Sequence, residues 1–383
     1  MTVRVDVAPD LFLWAVERAG WDEQTLARRF PQFGEWVDGT RRPTLKQLQG
    51  FADATHTPFG MLFLDEPPVE EVPIPDMRTI RNTAVFQPSA DLLDTIYLCQ
   101  ARQDWYREYA RNNDANGPQF VRSVTTDTDP AAVAHEIRSL LGFTLRERTQ
   151  FSTWKEAFRG LISRIEEVGV LVMVNGVVGS NTHRALNPQE FRGFALSDPL
   201  APLIFVNGAD TKAAQIFTLI HELGHIWLGH SALSDAAMKV RTGPAEEMWC
   251  NTVAAEVLVP LEALREDFRG KASSEELDRL ARRYKASTLV VLKRLYDAHF
   301  LSWDDYRNRY DEEFGRVMRI LQARGSSGGN FYYTQPLRVG REFARAVIAS
   351  TLEGATTYRD AYDLLGTKSH STFETLAQEI GVA

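Results

Sequence analysis

The stretch Phe217-Thr-Leu-Ile-His221-Glu222-Leu-Gly-His225-Ile-Trp-Leu-Gly-His230 reads as H-E-x-x-H on an apolar helix. His221 and His225 are four residues apart, so both imidazoles leave one helix face and can close on one ion. Glu222 follows the first His, where its carboxylate can reach a metal-bound water without ligating the metal. Zinc suits such nitrogen donors, and a catalytic site keeps one position open for water. Two His and a Glu among Ile216, Phe217, Leu219, Ile220, Leu223, Ile226, Trp227 and Leu228 need a reason, because buried polar groups are costly without partners.

A second helical run, Glu246-Glu247-Met-Trp-Cys250-Asn251-Thr-Val253-Ala-Ala-Glu256-Val-Leu-Val-Pro260, ends at a proline. Its distance from His225 allows a turn and an antiparallel return, which would bring a third ligand to the ion. Glu247 is the choice, with Asn251 one turn on along the same face. From there Asn251 can hydrogen-bond the free ring nitrogen of a ligand His. Glu246 is the runner-up for the third ligand, and Glu256 reads as a helix-surface or pocket-wall residue.

Together, His221-Glu-Leu-Gly-His225 and Glu247-x-x-Cys-Asn251-x-x-Ala-Ala-Glu-x-Leu-x-Pro260 resemble the ImmA/IrrE family of metallopeptidase-like proteins. Its usual second motif is roughly E-x-x-A-N-x-F-A-A-E-L-L-M-P; Cys250 replaces the common Ala and Val253 the common Phe. Phe59-Gly-x-Leu-Phe-Leu64 and Pro73-Ile-Pro-Asp-Met-Arg78 match the long form of the family. The resemblance implies a thermolysin-like Zn2+ site with ligands His221, His225 and Glu247, and Glu222 as general base. His230 follows His225 by five residues, one short of the metzincin spacing, so it is expected at the helix end or pocket rim.

The chain has 383 residues, enough for two or three domains, with ordinary hydrophobic (44%) and charged (25%) fractions. A net charge of −8 argues against a chain-wide nucleic-acid surface. Cys99 and Cys250 are the only cysteines, so a disulfide framework is excluded and a reducing compartment is expected. Without a secretory segment or an apolar run near membrane length, the expectation is a cytoplasmic protein with no membrane partner.

Residues 1–64 read as a degenerate helix-turn-helix module resembling those of XRE-type repressors. Leu26 to Trp36 spans ten residues where such repressors use about 14, so about one turn of the recognition helix is missing. Pro9 to Glu66 carries six Lys/Arg against nine Asp/Glu, the wrong sign for a DNA footprint. Folding or protein contact is therefore the preferred role. Residues 65–78 form a Pro- and acid-rich linker.

Residues 79–262 are expected to form the peptidase domain. Helices are expected over 89–113, 129–141 and 154–168, and strands over 169–174, 191–196 and 202–206. The 191–196 strand is the candidate sheet edge beside the metal helix, where a peptide can add as a further strand. Cys99 reads as core, and the loop at Ser180–Arg184 as either cleft or solvated surface.

Residues 263–323 hold a second helix-turn-helix-like pattern. Glu275 to Tyr296 has six basic and three acidic residues, making Arg282, Arg283, Lys285, Lys293 and Arg294 the nucleic-acid candidates. A helical prop beneath the peptidase core is the slightly preferred role. Arg324–Asn330 reads as a hinge and 331–383 as a helical tail that Phe331-Tyr-Tyr333 packs back on the body.

The fold expected is α+β and mostly helical: a zincin-like core, a small sheet plus the HExxH helix, flanked by helix-turn-helix-like modules. The function expected is zinc-dependent cleavage of a regulatory protein, a repressor or antitoxin. The alternative is a non-catalytic regulator with a structural metal, binding DNA or a protein partner such as a toxin.

Overall fold

The computed structural model describes residues 3–77, 88–234, 244–323 and 331–382. Arg78, the Arg324–Asn330 hinge and the side chains of Phe331–Tyr333 lie outside that description. The described chain is mostly helical with a small mixed sheet, an α+β arrangement. It divides into two units, one of residues 1–73 with 82–96 and one of 74–81 with 97–383. The division at Pro73 falls inside the expected linker, and the second helix-turn-helix-like region and the tail share a unit with the metal helix.

The first unit holds α1 (Pro9–Arg18), α2 (Glu23–Arg29), α3 (Phe33–Val37), α4 (Leu45–Thr55) and a 3-10 turn (Phe59–Phe63). Asp22 caps α2 by accepting from the Thr25 amide, and Thr44 with Gln47 forms a capping box on α4. Phe12, Phe33, Trp36 and Phe51 build an aromatic core. At five residues, with Phe33 and Trp36 buried and only Gly34 and Glu35 exposed, α3 is short for a recognition helix and exposes an acid.

α5 (Ala90–Asn112) runs on into the second unit. There follow α6 (Pro130–Leu140), α7 (Leu145–Arg148), α8 (Trp154–Glu167), β1 (Leu171–Asn175), the hairpin strands β2 (Val177–Val178) and β3 (Asn181–Ala185), β4 (Gly193–Leu196) and β5 (Leu203–Asn207). Next come α9 (Lys212–Leu228), β6 (Ala232–Ser234), α10 (Ala245–Leu258), α11 (Leu261–Asp267), α12 (Ser274–Tyr284), α13 (Thr288–Asp297) and α14 (Trp303–Ala323). The tail holds α15 (Phe331–Val339), α16 (Arg341–Leu352), α17 (Tyr358–Leu365) and α18 (His370–Ile380).

The main sheet has the order β1-β5-β4-β6, with β1 and β5 parallel and the other pairs antiparallel. Both β1 and β5 are buried at every position, which explains their unbroken apolar sequences. Val172, Val174, Ile204 and Val206 join the core that holds α9, while Cys99 meets Met173. Cys99 is core, as expected, and burial pushes its thiol up to about 12.

The 191–196 strand is not an edge. β4 lies between β5 and β6, in register Phe194↔Phe205 and Phe194↔Leu233. The outer side of β6 is itself partnered: Leu233 donates to the Pro75 carbonyl and accepts from the Met77 amide, both at 2.9 Å. The Pro73–Arg78 motif thus supplies a parallel bridge at Asp76. β3 covers Asn181–Ala185, so the loop expected at Ser180–Arg184 is a largely exposed hairpin strand.

α9 starts at Thr211, whose hydroxyl accepts from the Ala214 amide, and ends at Gly229 in the left-handed region, φ 78°. Every residue from Gln215 to Leu228 is buried. α10 packs along α9 and against α6. Leu277, Leu280, Tyr284, Val291 and Leu295 of α12 and α13 join the same core. No helix among the described residues is long and apolar enough to cross a membrane.

Candidate metal centre

The close approach of α9 and α10 sets the site. Gly224 faces Cys250 so tightly that a Cβ there would stand 3.2 Å from the Cys250 Sγ. This contact lets Glu247, near the start of α10, reach across to the two imidazoles. Its Oε2 lies 3.3 Å from His221 Nε2 and its Oε1 3.1 Å from His225 Nε2. The two Nε2 atoms are 3.2 Å apart. For a tetrahedral ion with arms of about 2.0–2.1 Å, neighbouring donors stand about 3.3 Å apart. The triad is buried and its spacing fits a divalent ion.

Charge supports the fit. Burial holds His225 below its ordinary value, against the opposing Glu247 hydrogen bond, so the ring is neutral and free to ligate. Burial would raise Glu247, but the charges and hydrogen bonds of His221 and His225 outweigh it and hold the carboxyl below the carboxylate range. Glu222, fully buried, goes the other way. Burial first, then the Glu247 charge, push it well above its ordinary value, and a Ser234 hydrogen bond opposes them. Glu222 Oε1 has no hydrogen-bond partner among the described residues.

The neighbours expected around the triad are placed differently. Asn251 does not hold a ligand ring: its Oδ1 and the Nδ1 atoms of His221 and His225 all lack partners among the described residues. A shared helix face brought Asn251 near without bringing its amide into contact. Glu246 turns to the rim and meets the half-exposed His230 at 3.1 Å. Glu256 is partly buried and pairs with the buried Arg294.

The five basic candidates for nucleic acid differ in exposure. Arg294 is enclosed, donating to the Val259 carbonyl and to Glu256. Lys285 is buried at the left-handed end of α12, φ 51°. Arg283 is tied to Asp267 and Lys293 to Asp297, each at 2.5 Å. Arg282 is exposed. Arg294, on α13, and Lys285, at the end of α12, thus keep little of their side chains at the surface.

Two residues at the site carry no sequence signal of their own. Gly193 of β4 stands against Glu222, with its would-be Cβ 3.2 Å from Oε1. Opposite it in register, Ser234 of β6 places its Oγ 3.1 Å from Glu247 Oε1, 3.3 Å from His225 Nε2 and 3.4 Å from Glu222 Oε2.

No curated protein matches the chain. Residues 339–379, covering most of α16–α18, match a domain of unknown function (DUF8813). Residues 165–296 match the M78 peptidase family, described as the IrrE N-terminal-like domain. That match takes in the sheet, both motif helices and α11–α13, and it supports the ImmA/IrrE family and a metallopeptidase-type function for this part of the chain.

Proposed function

We propose that the chain is a zinc-dependent endopeptidase that cuts a regulatory protein. The carrying observation is a second carboxylate, Glu222, buried beside three donors that leave one position of a tetrahedral ion open. A structural site has no use for it. His221, His225 and Glu247 would hold the zinc, which when bound would supply a Lewis acid to activate water and polarise a carbonyl. Glu222 takes the water proton and returns it to the leaving amine. A carboxyl held above its usual range is suited to that shuttle near neutral pH. His225, held neutral, keeps its Nε2 lone pair for the ion. His221, Glu222 and His225 are fully buried and Glu247 nearly so, which keeps the charges of the site out of bulk water.

The substrate class, a repressor or antitoxin, follows from the family resemblance. Work in a reducing cytoplasm is consistent with two buried, free cysteines. The test is Glu222→Gln, with zinc content by mass spectrometry and cleavage of the co-encoded regulator by gel. Zinc is retained and cleavage drops about 10²–10⁴-fold. Undiminished cleavage by the variant overturns the reading.

A further inference from the structure

We propose that Ser234 belongs to the metal site, its hydroxyl filling the fourth donor position until water or a substrate oxygen displaces it. The proposal rests on the reading that His221, His225 and Glu247 hold a divalent ion. Ser234 is fully buried, and three polar atoms converge on its Oγ: Glu247 Oε1 at 3.1 Å, His225 Nε2 at 3.3 Å and Glu222 Oε2 at 3.4 Å. One hydroxyl proton can serve only one of them, so this is a poor environment for a hydroxyl placed merely to be satisfied. Two of those atoms are ligand donors, at the spacing expected between neighbours around one tetrahedral ion. The third is the carboxylate that has to face the open position.

The backbone fixes this placement. Ser234 pairs with Gly193 across β4, and the preceding residue is hydrogen-bonded on its other side to Pro75 and Met77. The strand is therefore held from both edges. Gly193 leaves room beneath, and its lack of a side chain lets Glu222 and Ser234 meet.

The full chain loaded with Co2+ provides the test. Ser234→Cys puts a thiol at the same point and is expected to show a near-ultraviolet thiolate-to-cobalt charge-transfer band that the parent lacks. Ser234→Ala removes the occupant, so azide binds its cobalt about tenfold more tightly than in the parent, followed by the visible spectrum. Cobalt bound equally by all three proteins, with no charge-transfer band and unchanged azide affinity, overturns the role of Ser234 and leaves the enzyme reading intact. Failure of the parent to bind cobalt removes both. Should Ser234→Cys not fold, the azide comparison on Ser234→Ala decides alone.

Discussion

A Cβ on Gly193 would lie 2.6 Å from Thr218 Cγ2 and 2.8 Å from the Phe205 carbonyl oxygen, besides pressing on Glu222. Gly193→Val is therefore expected to cost about 1–3 kcal/mol of stability, read from the urea midpoint. An unchanged midpoint would show that β4 can shift away from α9. At this scale the sequence was informative where chemistry and spacing coincide. His221, His225 and Glu247 come together as their residue types and helical offsets suggested, and Glu222 is legible as the acid next to the first His. Ser234 and Gly193 are not, because their roles come from the register between two short strands. Asn251 was misjudged for a related reason: helical spacing gives a face, but not whether a short amide bridges the last gap.

Buried arginines bind the end of α10 to its surroundings. Arg148, fully buried, donates to the carbonyls of Phe143, Val257, Leu258 and Tyr284, while Arg138 donates to that of Glu256. These carbonyls include the last ones of α10, which have no partner within the helix. Arg148→Met keeps much of the volume but strands several acceptors and is expected to lower stability by about 3–5 kcal/mol, measured by denaturant unfolding. A loss below ~1 kcal/mol would mean that water replaces the guanidinium.

At the start of α16, Glu166 Oε1 accepts from the Glu342 amide at 3.3 Å. Burial pushes Glu166 up to about 7, with the Glu342 charge adding and the amides of Glu342 and Arg341 opposing. Its folded value lies above its unfolded one, so ionisation destabilises the fold progressively from about pH 4.5 to 7 and fully above. Glu166→Gln should thus be more stable than the parent by about 1–3 kcal/mol at pH 8, with the two converging near pH 4.5. A gap independent of pH would contradict this. The main helices and three strands of this unit were readable from periodicity and caps. Sheet order was not: β6 has three residues, too few to show alternation, and it displaced β4 from the edge.

Among the described residues, the two helix-turn-helix-like segments give much of their surface to packing. The short α3 and the buried Arg294 come from segments whose spacing resembles DNA readers, yet both are spent on core packing. Spacing shows that a helix pair is present; only burial shows which face it keeps for itself. The candidate metal triad lies wholly within the second unit. The account depends on that centre. Metal content of the purified chain by mass spectrometry, compared with His225→Ala and Glu247→Ala, tests it most directly. One zinc per parent chain and near-complete loss in both folded variants is the predicted result. Zinc retained at full occupancy by both variants, or no divalent metal bound by the parent even after zinc is supplied, would contradict it.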